Sequence, residues 1–275
     1  MSSILVSSRA NPRVKQLRAA FTGNARLSGG LVAIEGETLL KEAIRSGLPI
    51  KTIFVSDRVE TPPWTPRGVE LLVLTDEVFA SVVDTQHPQG IAALLIPPIW
   101  NLESAFPTSS PGKPTSLLII AAGLQDPGNL GTLIRSAEAF GATAVLTTPG
   151  TVSQWNQKAL RASSGSVFRV PVVAITSADI PAWKSRGLRI FAAVADDPAN
   201  QNAVPLANAA LTEPCALMIG NEGAGLSADL LALADERISI PMPGPVESLN
   251  AAIAGSLLLY EASRQRSAPQ LTTSN

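Results

Sequence analysis

Apolar positions in the first hundred residues alternate between two periods. Val14, Leu17 and Phe21 recur at helical spacing behind Asn11, a capping residue, and Pro12, which suits a first helical turn, so Pro12 to Phe21 is expected to be a helix. An apolar strand follows at Leu31 to Ile34, then a helix from Gly36 to Arg45 stopped by Gly47, and a strand from Ile50 to Val55. The alternation continues with a strand at Val69 to Leu74, a helix at Asp76 to Val83 and a strand at Gly90 to Ile96, the pattern of a small α/β domain.

From Pro97 to Pro114 the periodicity stops and Pro, Gly, Ser and Thr dominate, which reads as a linker. Beyond it, Leu117 to Ala122 is a continuous apolar strand, Leu130 to Phe140 a helix closed by Gly141, and Ala144 to Thr148 a second strand, together a βαβ unit. Further strands are expected at Val167 to Val173, Arg189 to Val194, Ala216 to Ile219 and Arg237 to Ile240, with a last helix from Ser248 to about Arg264 and a frayed tail from Gln265. The expected organisation is a first domain over 1–98, a linker over 99–115 and a second domain over 116–275, built on a mostly parallel, doubly wound α/β sheet.

Composition narrows the chemistry. The longest apolar run, Leu117 to Leu124, is far short of the roughly 18 residues that cross a bilayer, and Met1 to Arg9 has no secretory signal pattern, so the expected location is the cytoplasm, with no membrane contact. One cysteine and one histidine exclude an internal disulfide and the usual zinc sites, and no metal is expected. Cys215 sits in an apolar strand and His87 beside Pro88 in a polar turn; both read as structural. The net charge is −1, yet Met1 to Ile34 carries Arg9, Arg13, Lys15, Arg18 and Arg26 and no acid, a local positive field suited to phosphate and equally consistent with a solvated helix face.

Three loops carry candidate chemistry, and each follows an expected strand, where parallel α/β sheets bind ligands. The first is Asp126-Pro127-Gly128-Asn129-Leu130-Gly131, with Arg135 one and a half turns on. Asn129 also reads as an N-cap. The second is Gly220-Asn221-Glu222-Gly223-Ala224-Gly225-Leu226, whose glycines let backbone approach a ligand and whose carboxylate needs a partner. Its spacing is not the dinucleotide fingerprint, which disfavours a small-molecule enzyme on an ordinary Rossmann sheet. The third runs from Ile240 through Pro241-Met242-Pro243-Gly244-Pro245 to Ser248-Leu249-Asn250, where helix initiation at Ser248 and Asn250 competes with a functional role.

Taken jointly, the loops resemble the three signature motifs of the SpoU/TrmH ribose 2′-O-methyltransferases of the SPOUT class. Asn129, Gly131 and Arg135 match the first motif. Gly220, Glu222, Gly223 and Gly225 match the second, and Pro241, Met242, Gly244, Ser248, Leu249 and Asn250 the third. Lys158 to Ser166 followed by Phe168-Arg169-Val170-Pro171 is similar to a further stretch of such enzymes. The N-terminal part, through Asn11-Pro12-Arg13-Val14-Lys15 and Ile34-Glu35-Gly36, resembles their ribosomal-protein-like RNA-binding domain. Where a Val often follows the Asn of the third motif, this chain has Ala251.

The resemblance implies a deep trefoil knot in the second domain and S-adenosylmethionine as methyl donor, held by Ile219, Gly220, Ile240, Met242, Leu249 and Asn250. It also implies a homodimer that completes the site across its interface. Arg135, Asn129, Glu222, Ser248 and Asn250 become the catalytic candidates. Arg135 would stabilise charge on the ribose oxygen, with Glu222 orienting it, rather than act as a base. RNA contacts are expected from Arg9, Arg13, Lys15, Arg18, Lys158 and Arg161, with ribosomal RNA favoured over transfer RNA. The competing class is a non-catalytic RNA-binding or ribosome-assembly protein on the same fold.

Overall fold

The computed structural model describes residues 4–23, 28–83, 85, 87–106, 115–195 and 202–267. Contacts divide the chain into two compact units, Met1–Ile99 with Trp155–Arg169, and Trp100–Gln154 with Val170–Asn275. The division differs from the sequence expectation by returning 155–169 to the first unit. Gln157 is buried and donates from Nε2 to the Ala33 carbonyl at 2.9 Å. Arg169 pairs with Glu42 at 2.7 Å and hydrogen-bonds Ser46. Residues 107–114 of the proposed linker lie outside the described residues, and a short helix, Leu102–Ala105, occupies part of its first half.

The first unit holds a five-stranded mixed sheet. In chain order its strands are β1 (Ile4–Val6), β2 (Val32–Glu35), β3 (Ile50–Ser56), β4 (Glu70–Leu74) and β5 (Ile91–Leu95), arranged β1-β4-β3-β5-β2. The first of these was not foreseen from sequence. Helix α1 (Pro12–Phe21) forms as expected, with the Asn11 side chain accepting from the Arg13 amide and Val14, Leu17 and Phe21 packed on Phe54, Leu74, Phe79 and Leu94. Helix α2 is Glu37–Arg45 and α3 Asp76–Ala80, shorter than its apolar pattern suggested. Glu35 is buried, and its carboxylate is satisfied by the Thr85 hydroxyl and the Gln89 amide.

The second unit is built on a seven-stranded sheet in which every pair is parallel, and the short helix Leu102–Ala105 is its α4. Strands β6 (Leu117–Ala121), β7 (Ala144–Thr147), β8 (Val172–Ala174), β9 (Arg189–Val194), β10 (Val204–Pro205), β11 (Cys215–Ile219) and β12 (Glu236–Ser239) stand in the order β10-β12-β9-β11-β6-β7-β8. Each residue of β6 and β11 is buried, because helices cover both faces of a parallel sheet. Cys215 is part of that core, and burial pushes its thiol up from the ordinary value. The expected strand over Val167 to Val173 is a 3-10 turn at Ser166–Phe168 followed by the three-residue β8.

Helix α5 (Pro127–Ala139) starts earlier than the apolar pattern indicated, and Asp126, not Asn129, caps it by accepting from the Asn129 amide at 3.0 Å. The last helix, α9 (Ala251–Ser267), follows α6 (Gln157–Ser163), α7 (Ile180–Lys184) and α8 (Ala228–Leu233). Its cap is Asn250 rather than Ser248: Oδ1 accepts from the amides of Ala252 and Ile253. It continues past Arg264 because the Arg266 guanidinium donates to the carbonyls of Leu211, Thr115, Ser116 and Glu213.

Candidate active site

Sheet order decides where the site lies. Strand β9 stands between β12 and β11, so the carboxyl ends of three adjacent strands open together. A cavity of about 310 Å³ lies there, lined by Ala193 to Ala195, by 219–225, and by Ile238, Ile240, Met242, Ser248 and Leu249 with Ala251 and Ala254 of α9. The volume is at the low end of the range for small-ligand sites. Its walls are apolar except near Asn221, Glu222 and Ser248, which suits a ligand with a flat apolar part and a polar end.

Gly220 is required by the loop itself. A β-carbon there would lie 2.2 Å from the Gly225 carbonyl carbon and 2.4 Å from the Leu226 nitrogen, so no side chain fits without breaking the turn. Asn221 and Gly225 bridge each other by backbone bonds of 3.1 and 2.9 Å. Beside the cavity, the loops meet in a chain of amides. Asn129 Nδ2 donates to Glu222 Oε1 at 2.8 Å, and Asn250 Nδ2 donates to Asn129 Oδ1 at 2.9 Å. Partial burial pushes the Glu222 carboxyl upward, but hydrogen bonds from Asn129 and from the backbone amides of Glu222, Gln125 and Asp126 outweigh it and hold it below its ordinary value.

The five expected donor contacts Ile219, Gly220, Ile240, Met242 and Leu249 all line the cavity. Asn250 does not; its side chain is spent on Asn129 and on the cap of α9. Glu222 and Ser248 reach the wall, and Asn129 stands directly behind Glu222. The expected Glu222–Arg135 contact is absent among the described residues. Arg135 lies six residues beyond Asn129, about 9 Å along α5 and about 120° around it, and is exposed without a hydrogen-bond or ion-pair partner among them. The wall at Ala193 to Ala195 was missed from sequence. Its only signal was its place after an apolar strand, and the sequence does not show that β9 is the neighbour of β11.

Three of the basic N-terminal residues have side-chain partners within the first unit. Arg9 pairs with Glu77 at 2.8 Å, Arg13 with Glu70 at 2.9 Å, and Arg18 reaches the Ser81 hydroxyl at 3.5 Å; Lys15 is exposed. Arg26 lies outside the described residues. Lys158 and Arg161 are exposed on α6. Among the described residues no group of His, Cys, Asp and Glu is placed to hold a metal, and no helix is long and apolar enough to cross a membrane.

Comparison with known proteins identifies the family. The profile of the SpoU rRNA Methylase family matches residues 116–260, more than half of the chain. The chain belongs to that family. The MRM3-like substrate binding domain matches residues 11–93. Along 93% of this chain and 97% of its own length, the 23S rRNA (guanosine(2553)-2′-O)-methyltransferase RlmP of Bacillus subtilis is 36% identical. The mitochondrial rRNA methyltransferase 3 of Xenopus laevis is 31% identical over 86% of this chain and 70% of its own. Among solved structures, the SpoU methyltransferase AviRb of Streptomyces viridochromogenes, in complex with the cofactor AdoMet, superposes with a TM-score of 0.79 at 28% identity, covering 93% of this chain and 98% of that one. The α/β fold with its parallel sheet is thus that of SpoU methyltransferases.

Proposed function

We propose that this protein transfers the methyl group of S-adenosylmethionine to a ribose 2′-hydroxyl of 23S ribosomal RNA, acting in the cytoplasm as a homodimer. The observation that carries the reading is that the second and third motif loops wall one cavity, at whose edge Glu222, Asn129 of the first loop and Asn250 form a continuous hydrogen-bonded chain. The names of the relatives support ribosomal RNA over transfer RNA as substrate.

When bound, S-adenosylmethionine supplies an electrophilic sulfonium methyl. The chain's own residues do the rest. The loops 219–225 and 238–249 wall the donor cavity, and Glu222, ionised at neutral pH, fixes the Asn129 amide so that its oxygen faces Asn250. The Ser248 hydroxyl lines the cavity without a partner among the described residues and is available to a ligand. A ribose hydroxyl is a weak nucleophile, so the oxygen must be stabilised as it gains charge. An exposed guanidinium with no side-chain partner among the described residues, Arg135, is suited to that oxygen or to an adjacent phosphate.

Two structural proposals accompany this one. A homodimer is supported by Ile253, Leu257 and Tyr260, apolar and exposed at 51%, 39% and 52% in one stripe along α9. Arg135, standing away from its own cavity, fits a site completed across such an interface. A trefoil knot is supported by the path of the chain after β12, which passes the Gly220 loop before α9 packs on α5 and β11. The N-terminal unit, with its mixed sheet, is assigned the role of holding RNA.

Incubating the protein with labelled donor and separated ribosomal and transfer RNA tests the activity. Label in 23S rRNA, at a nucleotide whose 3′-phosphodiester bond becomes resistant to alkaline cleavage, is the expected result. Donor binding without transfer to any RNA would return the protein to the non-catalytic class.

A further inference from the structure

Asn221 is none of the motif positions named above, yet its carboxamide is fully committed within the glycine loop and to a neighbouring one. Its Oδ1 accepts from the amides of Gly223 at 2.9 Å and Ala224 at 3.1 Å, and its Nδ2 donates to the Gly123 carbonyl at 2.9 Å. Two amide donors on one side and a carbonyl on the other fix the orientation of the carboxamide. Gly123 is itself anchored: its amide donates to the hydroxyls of Thr151 at 3.0 Å and Thr148 at 3.2 Å, and the Thr151 hydroxyl donates to the Ala121 carbonyl at 2.9 Å. The loops after β6, β7 and β11 are joined through this one amide.

We propose that Asn221 is the positioning residue of the donor site, tying the loop that walls the cavity to the Gly123 carbonyl and so fixing where Glu222 meets Asn129. The assignment rests on the reading of that cavity as the donor site. The chemistry singles out asparagine. Oδ1 gathers the backbone of its own loop in the manner of an Asx turn, which aspartate would also do. The bond to Gly123 needs a donor on the same short planar group. Aspartate lacks that donor, glutamine carries it one methylene too far, and serine cannot face both ways at once. Glu222 follows Asn221 directly, so loosening this anchor releases the carboxylate from Asn129 at 2.8 Å and the Gly220–Gly225 wall together.

A purely local turn residue and a positioning residue differ in how they respond to pH when Asn221 becomes aspartate. Calorimetric titration with S-adenosylmethionine, with no RNA present, is run on wild type, Asn221→Ala and Asn221→Asp at pH 5 and pH 8. Asn221→Ala is expected to bind about tenfold more weakly than wild type at both pH values, the scale of one net hydrogen bond to an otherwise intact site. Asn221→Asp is expected to be weaker than Asn221→Ala at pH 8, where a carboxylate oxygen faces the Gly123 carbonyl, and to recover toward wild type at pH 5. Facing a carbonyl raises the carboxyl's affinity for a proton, and protonation restores the donor. Should Asn221→Ala not fold, the two pH values of Asn221→Asp carry the test. Wild type that itself fails to bind overturns the reading of the cavity and this assignment with it. Wild-type binding matched by an equally tight Asn221→Ala, or an Asn221→Asp whose deficit against wild type is the same at both pH values, overturns the assignment alone.

Discussion

Replacing Gly255 by alanine tests whether the last helix and the donor cavity behave as one packed body. Gly255 lies on the buried side of α9, where a β-carbon would come within 2.4 Å of Leu133 Cδ1, 2.7 Å of Ile219 Cδ1 and 3.3 Å of Ile119 Cδ1. Leu133 and Ile119 are fully buried and Ile219 nearly so, so their methyl groups have no open space to turn into. Relaxing the closest pair to an ordinary carbon–carbon separation of about 3.5 Å requires a shift of roughly 1 Å. Overpacking of this kind costs about 1–3 kcal/mol, and exchanging glycine for alanine inside a helix offsets about 1 kcal/mol of it. The net loss is about 0–2 kcal/mol, which at about 2–4 °C per kcal/mol lowers the melting temperature by up to roughly 8 °C. Because Ile219 also walls the cavity, donor affinity is expected to fall alongside stability. Gly244→Ala is the control, since its β-carbon meets only Val246 Cγ2 at 3.8 Å, an ordinary contact. Thermal melts and calorimetric titration measure both quantities; a Gly255→Ala protein that melts at or above the wild-type temperature and binds donor normally refutes the packing argument.

Other substitutions separate the roles of neighbouring groups. Asn250→Ala loses both the cap of α9 and the bond to Asn129, with a stability cost of about 1 kcal/mol, whereas Asn250→Asp keeps the cap and loses only the donor to Asn129. Melts should therefore rank aspartate near wild type while methyl transfer falls in both variants; full activity in Asn250→Asp would count against the amide chain. The Glu222 carboxyl lies below its usual 4.5, so the bonds it accepts persist above that value and are lost only as pH falls through the lowered one. A pH–rate inflection between about 5.5 and 8 that disappears in Glu222→Gln would contradict this. Arg135→Ala should leave folding and donor binding intact and lower turnover on RNA by roughly 10² to 10³-fold, with Arg135→Lys restoring little; normal turnover in either would remove Arg135 from the chemistry. Lys15→Ala should weaken RNA binding and reduce its salt dependence more than Arg9→Ala, since Arg9 already has Glu77 as partner. Equal effects in filter binding across salt concentrations would show that the ion pair opens for RNA.

The sequence alone determined the properties that are local. Helix α1 was legible because Asn11, Pro12 and the spacing of Val14, Leu17 and Phe21 all act within a few turns. The cores of β6 and β11 were legible because strands covered on both faces must be apolar throughout. The motif loops were legible because glycine, proline and a lone carboxylate after such strands have few other uses. Where local signals competed, the hydrogen bonds decided: Asp126 took the cap that Asn129 also offered, and Asn250 took the one it shared with Ser248. Only tertiary structure decided that β9 stands between β12 and β11, which brings Ala193 to Ala195 into the cavity wall. It also decided that Glu222 meets Asn129 rather than Arg135, and that Arg9 and Arg13 face Glu77 and Glu70. Each of these joins residues some 30 to 100 positions apart or more, and strand order and ion-pair partners at that range are set by how whole elements pack, not by any pattern along the chain.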